Sequence, residues 1–110
     1  MQVTTTAHGN TIVAVVHEDR IDASSAVQFK DTMQAIGRTA HGRVILDLAQ
    51  VQFLDSSGLG AVVAVMKAYA PGKRLELAGL NPVVQKVFRL TRMDKVFKVY
   101  ESSAQALEAA

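Results

Sequence analysis

Short apolar runs that are typical of β-strands alternate along this 110-residue chain with segments that carry helix-start signals. The runs predicted as strands are residues 2–7, 11–17, 43–48, 74–78 and 96–100. Strands that alternate with helices indicate a parallel sheet with right-handed crossovers. The turn signal His8-Gly9-Asn10 joins the first two strands as a hairpin, which makes the sheet mixed. We therefore expect an α/β fold with a mixed, mostly parallel sheet of four or five strands and about four helices, in the order β-β-α-β-α-β-α-β-α.

The predicted helices share a capping residue at the start or a breaker at the end. The first helix begins at the Ser25/Gln28 capping box and ends near Gly37, and the second runs from about Ser57 to Tyr69. The third is capped by Asn81, has Pro82 at its first position and ends near Thr91, and the fourth begins at the Ser102/Gln105 capping box.

Composition limits the classes of function. Hydrophobic residues make up 49% of the chain, charged residues 20%, and the formal net charge is +2, which is too small by itself to indicate nucleic-acid binding. The lack of cysteine excludes disulfides, thiol catalysis and cysteine zinc sites, and it fits a cytoplasmic protein. We find no signal-peptide pattern and no apolar run of the ~20 residues that span a bilayer. We expect a single domain, residues 1–110, without membrane insertion.

The segment Phe53-Leu54-Asp55-Ser56-Ser57-Gly58-Leu59-Gly60 is where a loop turns into the second helix. On a helical wheel, the residues opposite Ser57 are predicted to be buried: Leu59, Val62, Val63, Met66 and Ala70. The face around Ser57 is almost entirely small: Gly60, Ala61, Ala64, Lys67 and Ala68. Small residues let another backbone approach closely, which predicts a docking surface; the alternative is a helix buried on both sides by its own domain.

The two serines allow three interpretations. Asp55, Ser56 and Ser57 are all good N-cap residues, so a purely structural role is open. A nucleophilic serine is disfavoured, because the Gly-x-Ser-x-Gly elbow is absent around both. The third interpretation is phosphorylation, since a helix start tolerates an anion, and a phosphate would change the local charge by about −1.5 to −2.

The Phe53–Gly60 segment resembles the signature of bacterial anti-sigma-factor antagonists, the STAS-domain proteins. Three other segments match landmarks of the same family: Ile21-Asp22-Ala23, Asn81-Pro82-Val83-Val84 and Leu90-Thr91-Arg92-Met93. The resemblance covers nearly the whole chain. It implies a sheet of four or five strands with helices packed on one side.

The resemblance also implies roles for individual residues. Ser57 matches the serine that a partner kinase phosphorylates, Asp55 the acidic residue beside it, and Asp22 a loop carboxylate near the same site. The rest of the expected partner-binding surface is Ser56, Gly58, Gly60, Ala61 and Ala64. Many members have Gly-Arg-Ile-Asp where this chain has Asp19-Arg20-Ile21-Asp22, so an additional carboxylate stands near the switch.

The function implied is partner switching, without enzymatic activity, metal or cofactor. The unphosphorylated form would bind an anti-sigma factor that is also a serine kinase and so free a sigma factor; phosphorylation of Ser57 would end binding, and a metal-dependent serine phosphatase would restore it. The alternative is a non-switching STAS subunit or scaffold of a lipid-transport or other signalling complex. Nucleic-acid binding is disfavoured, because the basic side chains of residues 86–98 are better explained as a solvent-exposed face of the domain.

Overall fold

Residues 1–109 are described by the structure, a computed structural model. Across them the elements are β1 (Val3–His8), β2 (Thr11–Val16), β3 (Arg20–Ile21), α1 (Ala26–Thr39), β4 (Arg43–Asp47), β5 (Phe53–Leu54), α2 (Ser56–Ala68), β6 (Arg74–Ala78), α3 (Pro82–Leu90), a 3-10 turn (Met93–Lys95), β7 (Val99–Tyr100) and α4 (Ser103–Glu108). The predicted order is confirmed, with two short strands, β3 and β5, that the sequence pattern did not reveal.

Five strands form the main sheet in the order β1-β2-β4-β6-β7. β1 and β2 are antiparallel, joined through Gly9 at φ +63°, and every other neighbouring pair in this sheet is parallel. The mixed, mostly parallel α/β sheet is therefore confirmed. The last strand begins three residues later than predicted, because the nitrogens of Val96 and Phe97 bond back to the Met93 carbonyl and extend the turn.

The two faces of the sheet are covered differently. Side chains alternate along a strand, so Val44 and Leu46 face one side of β4 and Ile45 faces the other. The first side carries the larger core, to which α1, α2 and α3 contribute Phe29, Met33, Val62, Val65, Val84 and Phe88. The second side is covered by α4, whose Ala106 packs with Ile45. The expectation of helices on one side holds for three helices and is wrong for α4.

The capping predictions have mixed outcomes. Asn81 Oδ1 accepts a hydrogen bond from the Val84 nitrogen at 2.9 Å, and Ser102 Oγ accepts one from the Gln105 nitrogen at 3.1 Å, so both predicted caps are confirmed. The capping box predicted at Ser25 is wrong. Its hydroxyl makes no cap bond and instead accepts the Asp22 N–H at 3.0 Å.

A buried ion pair holds α4 to the sheet. Glu76 is only 4% exposed, and its Oε1 accepts a hydrogen bond from Arg43 Nε at 2.8 Å. The other guanidinium nitrogens of Arg43 donate to the carbonyls of Ala109 at 2.9 Å and Ala106 at 2.7 Å. These carbonyls lie at the C-terminal end of α4, where the helix dipole favours a cation. Arg43 thus joins β4, β6 and α4 in one cluster.

Candidate functional site

The two predicted acidic residues of the site lie at the ends of the second, two-stranded sheet. In this parallel pair Arg20 is opposite Phe53 and Ile21 is opposite Leu54. Asp22 follows the first strand and Asp55 follows the second. Because the strands are parallel, both aspartates lie at the same end of the sheet, next to the carboxyl ends of the two strands. The structure therefore brings together two residues that are separated by more than thirty positions in the sequence.

Asp55 joins α2 to the Asp22 loop. Its Oδ1 accepts the Gly58 N–H at 2.8 Å, which makes it the N-cap of α2. Its Oδ2 accepts the Ala23 N–H at 3.3 Å, so the same carboxylate holds the loop that follows β3. Of the three candidate caps in the sequence, Asp55 takes the role, and the helix begins at Ser56, one residue earlier than predicted.

Ser56 and Ser57 occupy the first two positions of α2, and both are exposed to solvent. Since Asp55 supplies the cap, the helix needs neither serine hydroxyl for its start. At these positions the backbone N–H groups lie in the first turn, where the helix dipole is positive. The arrangement leaves Ser57 open to another molecule and suited to carrying an anion.

Gly58 allows α2 to approach β3. It is buried, and a Cβ placed on it would collide with the carbonyl oxygen of Ile21. No residue larger than glycine fits here without moving the first turn of α2 away from the loop. Gly58 was predicted as part of the partner-binding surface; because it faces the interior, it positions that surface instead.

The face of α2 that carries Ser57 differs in part from the prediction. Gly60 is exposed with open space beside it, and Ala64 is half-buried. Ala61, predicted on this outer face, is only 3% exposed, so that prediction is wrong. The buried side of α2 consists of Gly58, Ala61, Val62 and Val65.

The reason for the difference is the packing of α1. The contact between α1 and α2 is the most extensive between helices of the described chain, and Ala61 is buried in the same core as Phe29 and Met33 of α1. The buried stripe is therefore rotated by roughly a quarter turn from the predicted one. Leu59, Val63 and Met66, predicted to be buried, are half-buried at the margin of the core, and Ala70 is exposed beyond the helix end.

Asp22 is held in the turn before α1. Its Oδ1 accepts hydrogen bonds from the Ser24 hydroxyl at 2.7 Å and the Ser24 nitrogen at 3.0 Å. These bonds keep the pKa of Asp22 below its ordinary value, and the bond from the Ser24 hydroxyl is the largest cause. Arg20, 3.8 Å away, adds a weaker attraction. The Asp22 carboxylate is thus ionised and committed to its own loop.

Asp19 stands where many family members have glycine, and the loop accommodates it. Its backbone is outside the left-handed region, so glycine is not required there. Its carbonyl accepts hydrogen bonds from the nitrogens of Gln52 at 2.6 Å and Phe53 at 3.2 Å, which close the segment before β5. The change therefore affects the charge of the loop more than its shape.

Residues 1–109 contain no cluster of three or more His, Asp or Glu side chains suitable for a metal ion. Each helix in that range is too short or too polar to cross a bilayer.

The sequence also matches a known family of protein domains. The sequence model of the STAS domain matches residues 2–106. The chain belongs to the STAS domain family. The anti-sigma-factor antagonists of this family are non-enzymatic binding proteins.

Among relatives of this STAS domain is the anti-sigma F factor antagonist of Paenibacillus polymyxa, which is 29% identical over 75 residues. The match covers 67% of this chain and 64% of that protein. Two further relatives, named as anti-sigma factor antagonists of Thermotoga neapolitana and Thermotoga maritima, are each 30% identical over 69 residues. The chain spans about three fifths of the length of these curated relatives, with 61% of each covered.

Three solved structures show the same fold. A STAS-domain anti-sigma-factor antagonist of Planctomyces limnophilus superimposes with a TM-score of 0.87 at 23% identity, covering 97% of this chain and 96% of that one. The anti-sigma factor antagonist SpoIIAA in its unphosphorylated form superimposes with a TM-score of 0.76 at 20% identity, covering 97% of this chain and 94% of that one. SpoIIAA of Bacillus has also been solved in a phosphorylated form, which superimposes with a TM-score of 0.69 at 19% identity and covers 97% of each chain.

Proposed function

We propose that this STAS domain is an anti-sigma-factor antagonist that acts by partner switching at Ser57. Unphosphorylated, it binds an anti-sigma factor with serine kinase activity in the cytoplasm, and the sigma factor is released. One observation carries the proposal: Asp55 caps α2, so the exposed Ser57 hydroxyl in the first turn has no structural task to fulfil. The names of the relatives support the same function.

The surface around Ser57 suits close docking of another protein. Gly60 is exposed and Ala64 half-buried on the same side of α2, and neither carries a side chain larger than a methyl group. Near Ser57 a partner backbone can therefore approach the helix without meeting long flexible side chains that would have to be ordered, since the exposed Lys67 lies about 15 Å further along the helix. Ser56 lies at the margin of this surface and would take part in the same contact.

A phosphate on Ser57 has opposite effects on the isolated domain and on the complex. In the domain, the helix N-terminus accommodates the dianion. In the complex, the dianion would have to lose water close to Asp55 and Asp22. A penalty of about 3 kcal/mol weakens binding more than a hundredfold. The switch therefore needs no change of fold.

The cycle has two further steps. The bound kinase transfers the phosphoryl group of its ATP to the Ser57 hydroxyl, and the modified protein dissociates. A metal-dependent serine phosphatase hydrolyses the phosphoserine and restores the binding form. This STAS domain contributes the substrate hydroxyl and the docking surface, and both catalytic steps belong to the partners.

The test uses the matched pair S57A and S57D, with Ser56 as control. Each tagged variant is expressed in the native host and its retained proteins are identified. We expect S57A to retain a serine kinase and S57D to bind that kinase at least a hundredfold more weakly. Purified kinase should phosphorylate S56A but not S57A, as measured by mass spectrometry. Equal affinity of S57A and S57D for the kinase would refute the switch, and a stable complex of both variants with transport proteins would favour the scaffold alternative.

A further inference from the structure

An exposed pair of side chains lies directly beside the switch site. Arg20 and Phe53 are opposite each other in the β3–β5 pair. Asp22 follows two residues after Arg20, and Asp55 follows two residues after Phe53. The pair is therefore continuous with the surface formed by the start of α2. No task in the switch described above falls to either side chain.

Phe53 is the exception among the phenylalanines of the chain. Phe29, Phe88 and Phe97 are 0%, 1% and 5% exposed, whereas Phe53 is 43% exposed. Its neighbour Leu54 is 1% exposed, so the strand carries one side chain inward and presents the aromatic ring outward. Large aromatic side chains left in solvent next to a binding site are typical anchors of protein interfaces.

Arg20 is held over this ring but leaves its donors available. Its guanidinium carbon lies 5.6 Å from the centre of the Phe53 ring, while its side chain is 65% exposed. Its contact with Asp22 Oδ2, at 3.8 Å, is longer than a hydrogen bond. Stacking on the ring restricts the side chain before any partner arrives, which lowers the entropy cost of binding.

The nearby carboxylates of the domain do not form a close hydrogen bond with Arg20. Asp55 uses both oxygens for the nitrogens of Gly58 and Ala23, and Asp22 Oδ2 stays 3.8 Å from Arg20 Nη1. With 65% of its side chain exposed, Arg20 keeps its N–H donors accessible to a partner. A guanidinium of this kind pairs best with a carboxylate, in a bidentate geometry, when its surroundings are apolar.

We infer that Arg20 and Phe53 form a second contact for the kinase partner, in which Arg20 takes a carboxylate of that partner and Phe53 packs against an apolar side chain next to it. This inference rests on the proposed function, and it specifies the chemistry of the partner surface. The contact sets affinity and partner choice in the unphosphorylated state, and it is separate from the phosphate switch.

The probe is the serine kinase retained by the S57A protein. We expect R20A and F53A to weaken its binding about tenfold or more, and R20E about a hundredfold, because R20E sets like charges against each other. A Glu→Lys or Asp→Lys variant of the kinase at the contacting position should restore binding to R20E. The rate of Ser57 phosphorylation at saturating substrate should stay unchanged while KM rises.

Two control variants separate this contact from general effects of charge and apolar area. R38A removes an exposed arginine from the last turn of α1, about 18 Å along the helix from its start, and V99A trims an exposed residue of the edge strand β7. Both should bind the kinase within twofold of the parent protein. If F53A does not fold, the binding of R20E alone tests the second contact, since the Arg20 side chain is exposed and its replacement should not affect folding.

The outcomes distinguish this inference from the proposed function. Binding of R20E within twofold of the parent protein, together with loss of binding by S57D, would overturn the second contact and leave the switch intact. If S57A retains no kinase, the proposed function fails and the second contact fails with it.

Discussion

Asp55 Oδ1 lies 2.8 Å from the backbone nitrogen of Gly58 and accepts its hydrogen bond. The bond joins the residue that caps α2 to the residue whose missing side chain lets the helix approach β3. Ser57 lies between the two, so its position is fixed on both sides by contacts that do not use its hydroxyl. A serine held in this way presents its Oγ at the surface with little freedom in the backbone beneath it.

Replacement of Asp55 tests the cap. D55A should lower the free energy of unfolding by about 1–2 kcal/mol, because the first turn of α2 and the Ala23 nitrogen lose their acceptor. D55N keeps one oxygen for the Gly58 nitrogen but turns an NH2 donor towards the Ala23 N–H, so it should lose less than D55A, about 0.5–1 kcal/mol. Urea denaturation measures both. Equal losses in the two variants would show that the bond to the Gly58 nitrogen does not make the contribution.

The two glycines at the start of α2 should respond in opposite directions to alanine. G60A fills open space on an exposed helix and should stabilise by up to about 1 kcal/mol. G58A gains the same helix propensity but forces a methyl group against the Ile21 carbonyl, so a net loss of about 2 kcal/mol is expected. Thermal unfolding of the pair gives the comparison, and a stabilised G58A would contradict the close approach of α2 to β3.

The Arg43–Glu76 pair should matter mainly through the charge that is left behind. E76L leaves the largely buried Arg43 guanidinium without its carboxylate and should lower the free energy of unfolding by about 3 kcal/mol, whereas the double variant R43M/E76L should lower it less. R74A, which removes an exposed arginine 3.6 Å from the same carboxylate, should cost under about 1 kcal/mol. Denaturant titration ranks the three variants, and hydrogen exchange of residues 103–108 reports on α4. A double variant less stable than E76L would contradict this account.

Acid titration should show the contribution of the Asp22 loop. Because its folded pKa lies below the ordinary value of 3.8, the stabilisation is present above that pH and is lost as pH falls through the folded pKa. S24A removes the largest cause and should raise the Asp22 pKa towards 3.8. NMR titration of the side-chain carboxyl carbon measures the shift, with S56A as the control that should leave it unchanged. An unaltered pKa in S24A would refute the assigned cause.

Local signals account for the parts of the fold that the sequence predicted well. The cap at Asn81 and the cap at Ser102 depend on a side chain and a backbone nitrogen three residues apart, and β6 depends on a run of five residues. Where two local options compete, the prediction failed: Ser25 has the spacing of a capping box but bonds to the Asp22 turn instead. The capping role of Asp55 was among the alternatives, and the geometry of the loop selected it.

Residues close together in the chain were enough to predict the order of the main strands and helices, the mixed sheet and the position of the Asp-Ser-Ser segment at a helix start. Four features could be seen only in the folded chain: the burial of Ala61, the pairing of β3 with β5, the position of α4 on the second face of the sheet and the contact of Arg43 with Glu76. These features depend on packing between segments far apart in sequence. A helix with apolar or small residues on most of its surface does not specify which side a neighbour will cover, and a two-residue strand is too short to show a period.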